Sequence, residues 1–295
     1  MRINRTGMMG ITFIIVASFF ITLSAVASAA DFYVATTGDD TTGDGSANNP
    51  WSTIQHAVNS EVVSPGDTVI VRDGTYTENV DVSKSMTIRS DNGSAVTTVQ
   101  ADNSGSVFDV REDYVNISGF TISGANGAGI SVDAKYCALT NNSIIANDYG
   151  IYLYEFTSDN KITNNIIMNN DIGIWLIGSC SNNISCNWVH HNNDNGFSLE
   201  EIGFEGPILG STGNIMECNN IIANGALQGD GSYHWQFDND QHANVEAHNN
   251  WWGTVDEAHI NASIFDKYDD ITLGTVNFSD YRTDPAPCAP IRTDP

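Results

Sequence analysis

The sequence predicts an all-β chain wound as a right-handed parallel β-helix of about eight coils, with a short helical cap at each end. Three observations carry that prediction. Four segments align without gaps on a period of about 22 residues: Leu139-Thr-Asn-Asn-Ser-Ile144, Ile162-Thr-Asn-Asn-Ile-Ile167, Ile184-Ser-Cys-Asn-Trp-Val189 and Met216-Glu-Cys-Asn-Asn-Ile221, their starts 23, 22 and 32 residues apart. A second series of apolar triplets, Phe108-Asp-Val110, Ile130-Ser-Val132, Ile151-Tyr-Leu153, Ile174-Trp-Leu176 and Phe197-Ser-Leu199, runs at spacings of 22, 21, 23 and 23. Asparagines form two columns, Asn142, Asn165, Asn187, Asn219 and Asn147, Asn170, Asn192, Asn224, the second five residues after the first.

An apolar-x-apolar triplet has the period of a strand with one buried face. Two strand series on one period describe a coil that cannot bury its apolar face alone, so coils stack. Leucine-rich repeats have a similar length but require regular leucines and a helical segment per repeat, and neither occurs. The asparagines suit the turns, because asparagine tolerates left-handed backbone and bonds locally. Stacked at the strand spacing of about 4.8 Å, their amides can also bond to one another as a ladder.

Residues 1–30 have the order of a secretory signal peptide: Arg2 and Arg5, an apolar run, then Ala-Ser-Ala-Ala before Asp31. Cleavage is expected after Ala30; uncleaved, residues 11–27 would be an anchor. One domain is expected over residues 31–282, because a solenoid grows by adding coils, and residues 283–295 read as a flexible Pro-rich tail. The net charge of −25 becomes −27 once the two arginines are removed. Such a surface repels nucleic acid and anionic lipid. A secreted or cell-surface monomer is expected, periplasmic where the host has that compartment.

The ends of a solenoid need covering. Residues 49–58 read as a capping helix, followed by strands over 67–72, 80–82 and 86–89. Toward the C-terminus Thr254 and Glu257 have capping-box spacing, predicting a helix to about Tyr268 and a closing strand over 271–278, with Trp251 and Trp252 covering the last coil. Of five cysteines, Cys186 and Cys218 share a column. They either bridge adjacent coils or stack unbridged in the interior, while Cys137, Cys180 and Cys288 show no partner.

These ends carry a resemblance. Tyr33-Val-Ala35, the Gly/Asp stretch from Gly38 to Gly45, residues 49–57 and Pro65-Gly-Asp-Thr-Val-Ile-Val-Arg-Asp-Gly-Thr-Tyr76 resemble the entry of pectate-lyase-like β-helix proteins. Asn250-Trp-Trp-Gly253 with Ile264-Phe-Asp-Lys-Tyr-Asp-Asp270 is similar to the closing segment of secreted archaeal and bacterial β-helix repeat proteins, including relatives of a periplasmic copper-maturation protein. The resemblance implies the fold. It leaves function open among lyases, hydrolases, epimerases, adhesins and proteins without known activity.

On the strand series with Ile151 and Ile174, outward positions form two columns: Asp109, Ser131, Tyr152, Trp175, Ser198, and Arg111, Asp133, Tyr154, Ile177, Glu200. Tyr152, Tyr154 and Trp175 then make an exposed aromatic patch, which needs a reason. Sugars stack their CH faces on such rings, so carbohydrate, a polysaccharide or cell-envelope glycan, is the expected ligand. Two insertions, 200–211 and 225–244, the second containing Trp235, either wall a groove here or lie on the sheet and bury Tyr152 and Trp175.

Catalysis is the alternative. The resemblance implies that a polysaccharide lyase would use a Lys or Arg base beside carboxylates that hold calcium, and Lys135 beyond Asp133 is the candidate base. Glycoside hydrolysis needs two carboxylates, for which Asp133, Glu200, Glu201 and Glu205 are candidates. Asp148, Asp171 and Asp194 form a stacked column whose repulsion calcium would relieve, and Asp39, Asp40 and Asp44 offer a second candidate. Copper could be held by His190 and His191 with Cys186, or by His248 with Cys218. A non-catalytic structural module is the remaining reading.

Overall fold

The computed structural model describes residues 29–102, 105–203 and 208–290. The signal peptide expected at the N-terminus lies, apart from its last two residues, outside the described residues. The described chain is a parallel β-helix with three lateral sheets of eight, eight and seven strands. Registers join each coil to the next in parallel, as in Ala138↔Lys161, Ser143↔Ile166 and Ile151↔Ile174.

Each coil has three strands, where the repeat pattern suggested two. The segment from Leu139 to Ile144 contains Ala138–Thr140 in one sheet and Ser143–Ile145 in another. Each strand sends one residue inward, Leu139 and Ile144, and both are fully buried. Here each three-residue strand turns only its central side chain inward, so no apolar triplet forms and the two strands read as one. The third strand, such as Tyr149–Leu153, is longer and shows the triplet.

The corners explain the asparagines. A residue with left-handed backbone comes first: Asn141 (φ 57°), Ala146 (φ 56°), Asn164 (φ 59°) or Asn169 (φ 56°). A buried asparagine follows it: Asn142, Asn147, Asn165 or Asn170. The left-handed turn therefore belongs to the residue before each column position in the coil, and the column asparagine itself is a buried crosslink. Oδ1 of Asn165 accepts the backbone N–H and Nδ2 of Asn142 at 3.0 and 3.3 Å. Its own Nδ2 donates to the Leu139 carbonyl at 2.8 Å and to Asn187 Oδ1 at 3.0 Å. Every polar atom of the buried amide is thereby satisfied. The first ladder runs on through Asn187 and Asn219 to Asn250. A third ladder, Asn160, Asn182 and Asn214, repeats the arrangement five residues before the first.

Both ends are closed. The first helix is Ile54–Asn59, shorter than expected, capped by Thr53, whose Oγ1 accepts the His56 N–H at 3.2 Å. Glu78 accepts the N–H groups of Ile54 and Gln55, and Ile54, Ala57 and Val58 are buried over the first coil. The second helix is Glu257–Ala262, with Asp256 rather than Thr254 as its N-cap. It ends well before Tyr268 because Ile264–Phe265 leaves to pair with Phe237–Asp238, extending the sheet. The expected closing strand shrinks to Val276–Asn277, and Ile271 is 83% exposed. Trp252, 2% exposed, does cover the last coil.

The tail also departs from expectation. Within residues 283–290, the Ala286 N–H donates to Asn220 Oδ1 at 2.7 Å, Ala286 and Ala289 are buried, and Cys288 is disulfide-bonded to Cys186. Cys186 and Cys218 both occupy left-handed corners (φ 59°) and are half-buried, which places their side chains off the coil interior. From such a corner Cys186 meets the returning tail instead of Cys218, which is free.

Candidate functional site

The candidate site is the outer face of the sheet that contains Ile151 and Ile174. Strand register aligns Asp81, Asp109, Ser131, Tyr152, Trp175, Ser198, Asp238 and Phe265 in one column. A parallel column ends in Ile177, Glu200 and Asp240. The inward residues between them, Ile151, Leu153, Ile174 and Leu176, are fully buried and fix which side chains face out.

Tyr152 and Trp175 stack with ring centroids 4.7 Å apart and planes 25° apart. Tyr154 lies 4.2 Å from Tyr152 and is 40% exposed. Tyr149 joins the cluster, 4.7 Å from Trp175. It escaped the sequence reading because strict alternation puts Tyr149 on the same side as Ile151. At Gly150 an added Cβ would lie 2.4 Å from the Gly173 carbonyl oxygen, so the neighbouring coil leaves room there only for glycine.

Carboxylates continue the face beyond the rings. The Trp175 Nε1–H donates to Glu200 Oε1 at 3.0 Å. Burial pushes the Glu200 carboxyl above its ordinary value, partly offset by this bond, and Asp240 adds repulsion. Asp238 is pushed up to about 7 by burial and by the charges of Asp240 and Glu200. Its Oδ1 is buried with no hydrogen-bond partner. Burial also pushes the Tyr152 hydroxyl up to about 12, so the phenol stays protonated. Asp238 and Asp240 were missed because Asn239 replaces the second apolar residue of the triplet; aligned with Leu199, it points inward and bonds to Gly274 and Ala243 carbonyls.

The other sequence-predicted residues lie away from the rings, and of these Lys135 and Glu201 line one cleft together. Asp133 is exposed in the coil before Tyr154, whereas Lys135 lines a separate cleft of about 770 Å³ at the corner after this sheet, with Phe156, Cys180, Leu209 and His242. Lys135 and Asp133 are therefore not assembled with Glu200. Arg111, the cation on the face, is paired with Asp109 and held more firmly protonated by it, the reverse of what a base requires. Glu201 is bound to His242, and Glu205 lies outside the described residues. Trp235 stacks on His234 and leans on Phe265, two coils beyond Trp175.

The described part of the insertion at 200–211 folds back as an Ile202↔Leu209 pair against Gly178 and does not lie over Tyr152. The aromatic face is half-buried by its own rings.

Among the described residues, no three His, Cys, Asp or Glu side chains converge as metal ligands. Asp148, Asp171 and Asp194 do stack, joined by backbone bonds such as Asp171 N–H to Asp148 O, but do not form such a group. Asp39, Asp40 and Asp44 each accept backbone N–H groups of their own loop or of Ser52 and Thr53. Cys186 is consumed in the disulfide, and His248 is engaged by Glu246 and the Ser279 carbonyl. The disulfide thus removes Cys186 from the copper set expected with His190 and His191.

The family model described as "Right handed beta helix region" matches residues 52–250. A 91-residue stretch is 32% identical to a cell surface glycoprotein of Methanothermus fervidus; it covers 31% of this chain and only 15% of that protein. Among solved structures, the pectate lyase Pel9A superposes with a TM-score of 0.61 at 16% identity, covering 88% of this chain and 80% of the lyase. The rice weevil pectin methyl esterase gives 0.53 at 12% identity, covering 83% and 89%. At these identities the structural likeness is one of fold. With two thirds of its length matched by the family model and its sheets wound accordingly, the chain belongs to the right-handed β-helix family.

Proposed function

We propose that this is a secreted or cell-surface β-helix protein that binds carbohydrate on its lateral aromatic face. The observation that carries the reading is the contiguous cluster of Tyr149, Tyr152, Tyr154 and Trp175 on the solvent side of a sheet, with the Trp175 indole anchored by Glu200. Successive coils stand about 4.8 Å apart, close to the advance of a glycan chain per sugar. Aromatic faces offer apolar area and carboxylates accept hydroxyl protons, the mix that ligand sites need. The likeness of a segment to a cell surface glycoprotein and the disulfide, a bond of oxidising compartments, support an extracytoplasmic location. No helix of the described residues is long and apolar enough to cross a membrane.

Lysis is less well supported, because Lys135 lies off the face and Arg111 is occupied. Affinity electrophoresis of the mature chain through a panel of embedded polysaccharides tests the reading. Retardation that Trp175→Ala abolishes supports it. Absence of retardation by every polymer, or retardation unchanged in Trp175→Ala, refutes it. Unsaturated product appearing from a uronate polymer would replace it with the lyase reading.

A further inference from the structure

The charge around the aromatic platform is one-sided. Along the helix axis the rings are preceded by Asp81, Asp109 and Asp133 and followed by Glu200, Asp238 and Asp240. Against these six carboxylates stands Arg111, already paired with Asp109. None of the four lysines belongs to either column: Lys84 is bonded to the Ser60 carbonyl, Lys135 lines the corner cleft, Lys161 is in another sheet and Lys267 lies past the last strand of this one.

Resting on the carbohydrate reading, we propose that the ligand of this face is a glycan bearing cationic amino groups, and that Glu200 and Asp238 select it over neutral and uronic-acid glycans. A uronate laid on the rings would add negative charge to a stretch that already raises the proton affinity of Glu200 and Asp238. An ammonium relieves that repulsion. Its charge also offsets the desolvation of the Asp238 carboxylate, whose Oδ1 is buried without a partner. An amino sugar beside Trp175 gains in addition from the indole face, the best aromatic surface for a cation. A compact metal ion fits less well, because among the described residues no three acidic side chains converge on a point. Carboxylates distributed one or two per coil match charges distributed along a polymer instead.

The probes are a matched pair of β-linked glucosamine hexamers, one with free amines and one fully N-acetylated, together with a galacturonate hexamer, measured by titration calorimetry at neutral pH and physiological salt. The free-amine hexamer is expected to bind at least tenfold more tightly than its acetylated twin, and the galacturonate not at all. The double variant Glu200→Gln/Asp238→Asn should lower the amine hexamer to the affinity of the acetylated one. Asp148→Asn/Asp171→Asn, with the same change in net charge off the face, should leave it unchanged. Equal affinity for the two glucosamine hexamers, with Trp175→Ala abolishing both, overturns the selection by charge while leaving carbohydrate binding intact. Amine binding that survives Trp175→Ala, or that falls equally in both double variants, is general attraction of a polycation and overturns the proposal. Binding of none of the three hexamers overturns it too, and the polysaccharide panel then decides separately whether any glycan is bound.

Discussion

Trp175 and Glu200 are joined across two successive coils: the indole Nε1–H donates to Oε1 at 3.0 Å, and the ring is pressed against Tyr152 on its other side. This bond fixes the ring plane that a ligand would meet. It also ties a titratable group to the aromatic platform.

Substitution at Trp175 should separate stability from binding. Trp175→Ala removes two ring contacts on a half-buried outer face, a loss of about 1–2 kcal/mol, leaving a folded chain with little glycan affinity. Trp175→Phe keeps an apolar ring but loses the N–H, and should retain part of the affinity. Chemical denaturation and calorimetry on both variants check this.

Asp238 should make stability depend on pH. Its folded value, about 7, lies above the ordinary carboxylate value near 4, so the folded state holds the proton more tightly than the unfolded one between those limits. Stability contributed through this group is therefore present below about pH 4 and is lost as pH rises toward 7. Asp39, Asp44 and Asp270, lowered chiefly by backbone N–H bonds, act with the opposite sign in more acid solution. The melting-temperature difference between Asp238→Asn and the parent should grow between pH 5 and 7.5 and then level off. A constant difference would show that Asp238 does not titrate in that window.

The ladders should be costly to break in the middle. Asn165→Ala removes the acceptor of the Asn142 N–H and the side-chain donor to the Leu139 carbonyl, both buried, while Asn142 Nδ2 keeps the Ile117 carbonyl and Asn187 Oδ1 keeps the Asn165 N–H. At about 1–3 kcal/mol for a buried group left unpaired, with relaxation absorbing part, a loss of about 3 kcal/mol is expected. Asn164→Gly, at a half-buried left-handed corner (φ 59°), should be near neutral. Urea denaturation of the two variants makes the comparison.

Cys288→Ser should release the tail. The bond to Cys186 closes a separation of 102 residues, for which chain entropy sets an upper bound of about 4–5 kcal/mol. The variant should melt lower and be cleaved within 283–290 under protease conditions that the parent resists. Equal resistance would mean that the Ala286 contact alone holds the tail.

Much of this architecture is legible in the residues, and the failures have physical causes. Period, stacking and the outward columns with Tyr152 and Trp175 follow from apolar alternation, since a one-residue slip would expose Ile151 and Leu153. The third strand was hidden because Leu139 and Ile144 are each the sole inward residue of a short strand. The third ladder was readable in principle: Asn160 and Asn182 repeat the five-residue step that links Asn165 to Asn170. Tyr149, Asp238 and the Cys186–Cys288 bond depend on packing against Trp175 of the next coil, a register that resumes after an insertion and the path of the tail, all of them long-range.

The most direct test of the central claim is oxidative footprinting of the chain with and without a glycan that it retains on electrophoresis. Protection confined to Tyr149, Tyr152, Tyr154 and Trp175, with Tyr268 and Phe156 oxidised equally in both states, is the predicted result. Protection at the corner cleft around Phe156 instead, with the four ring residues unchanged, would contradict the assignment of the lateral face as the binding site.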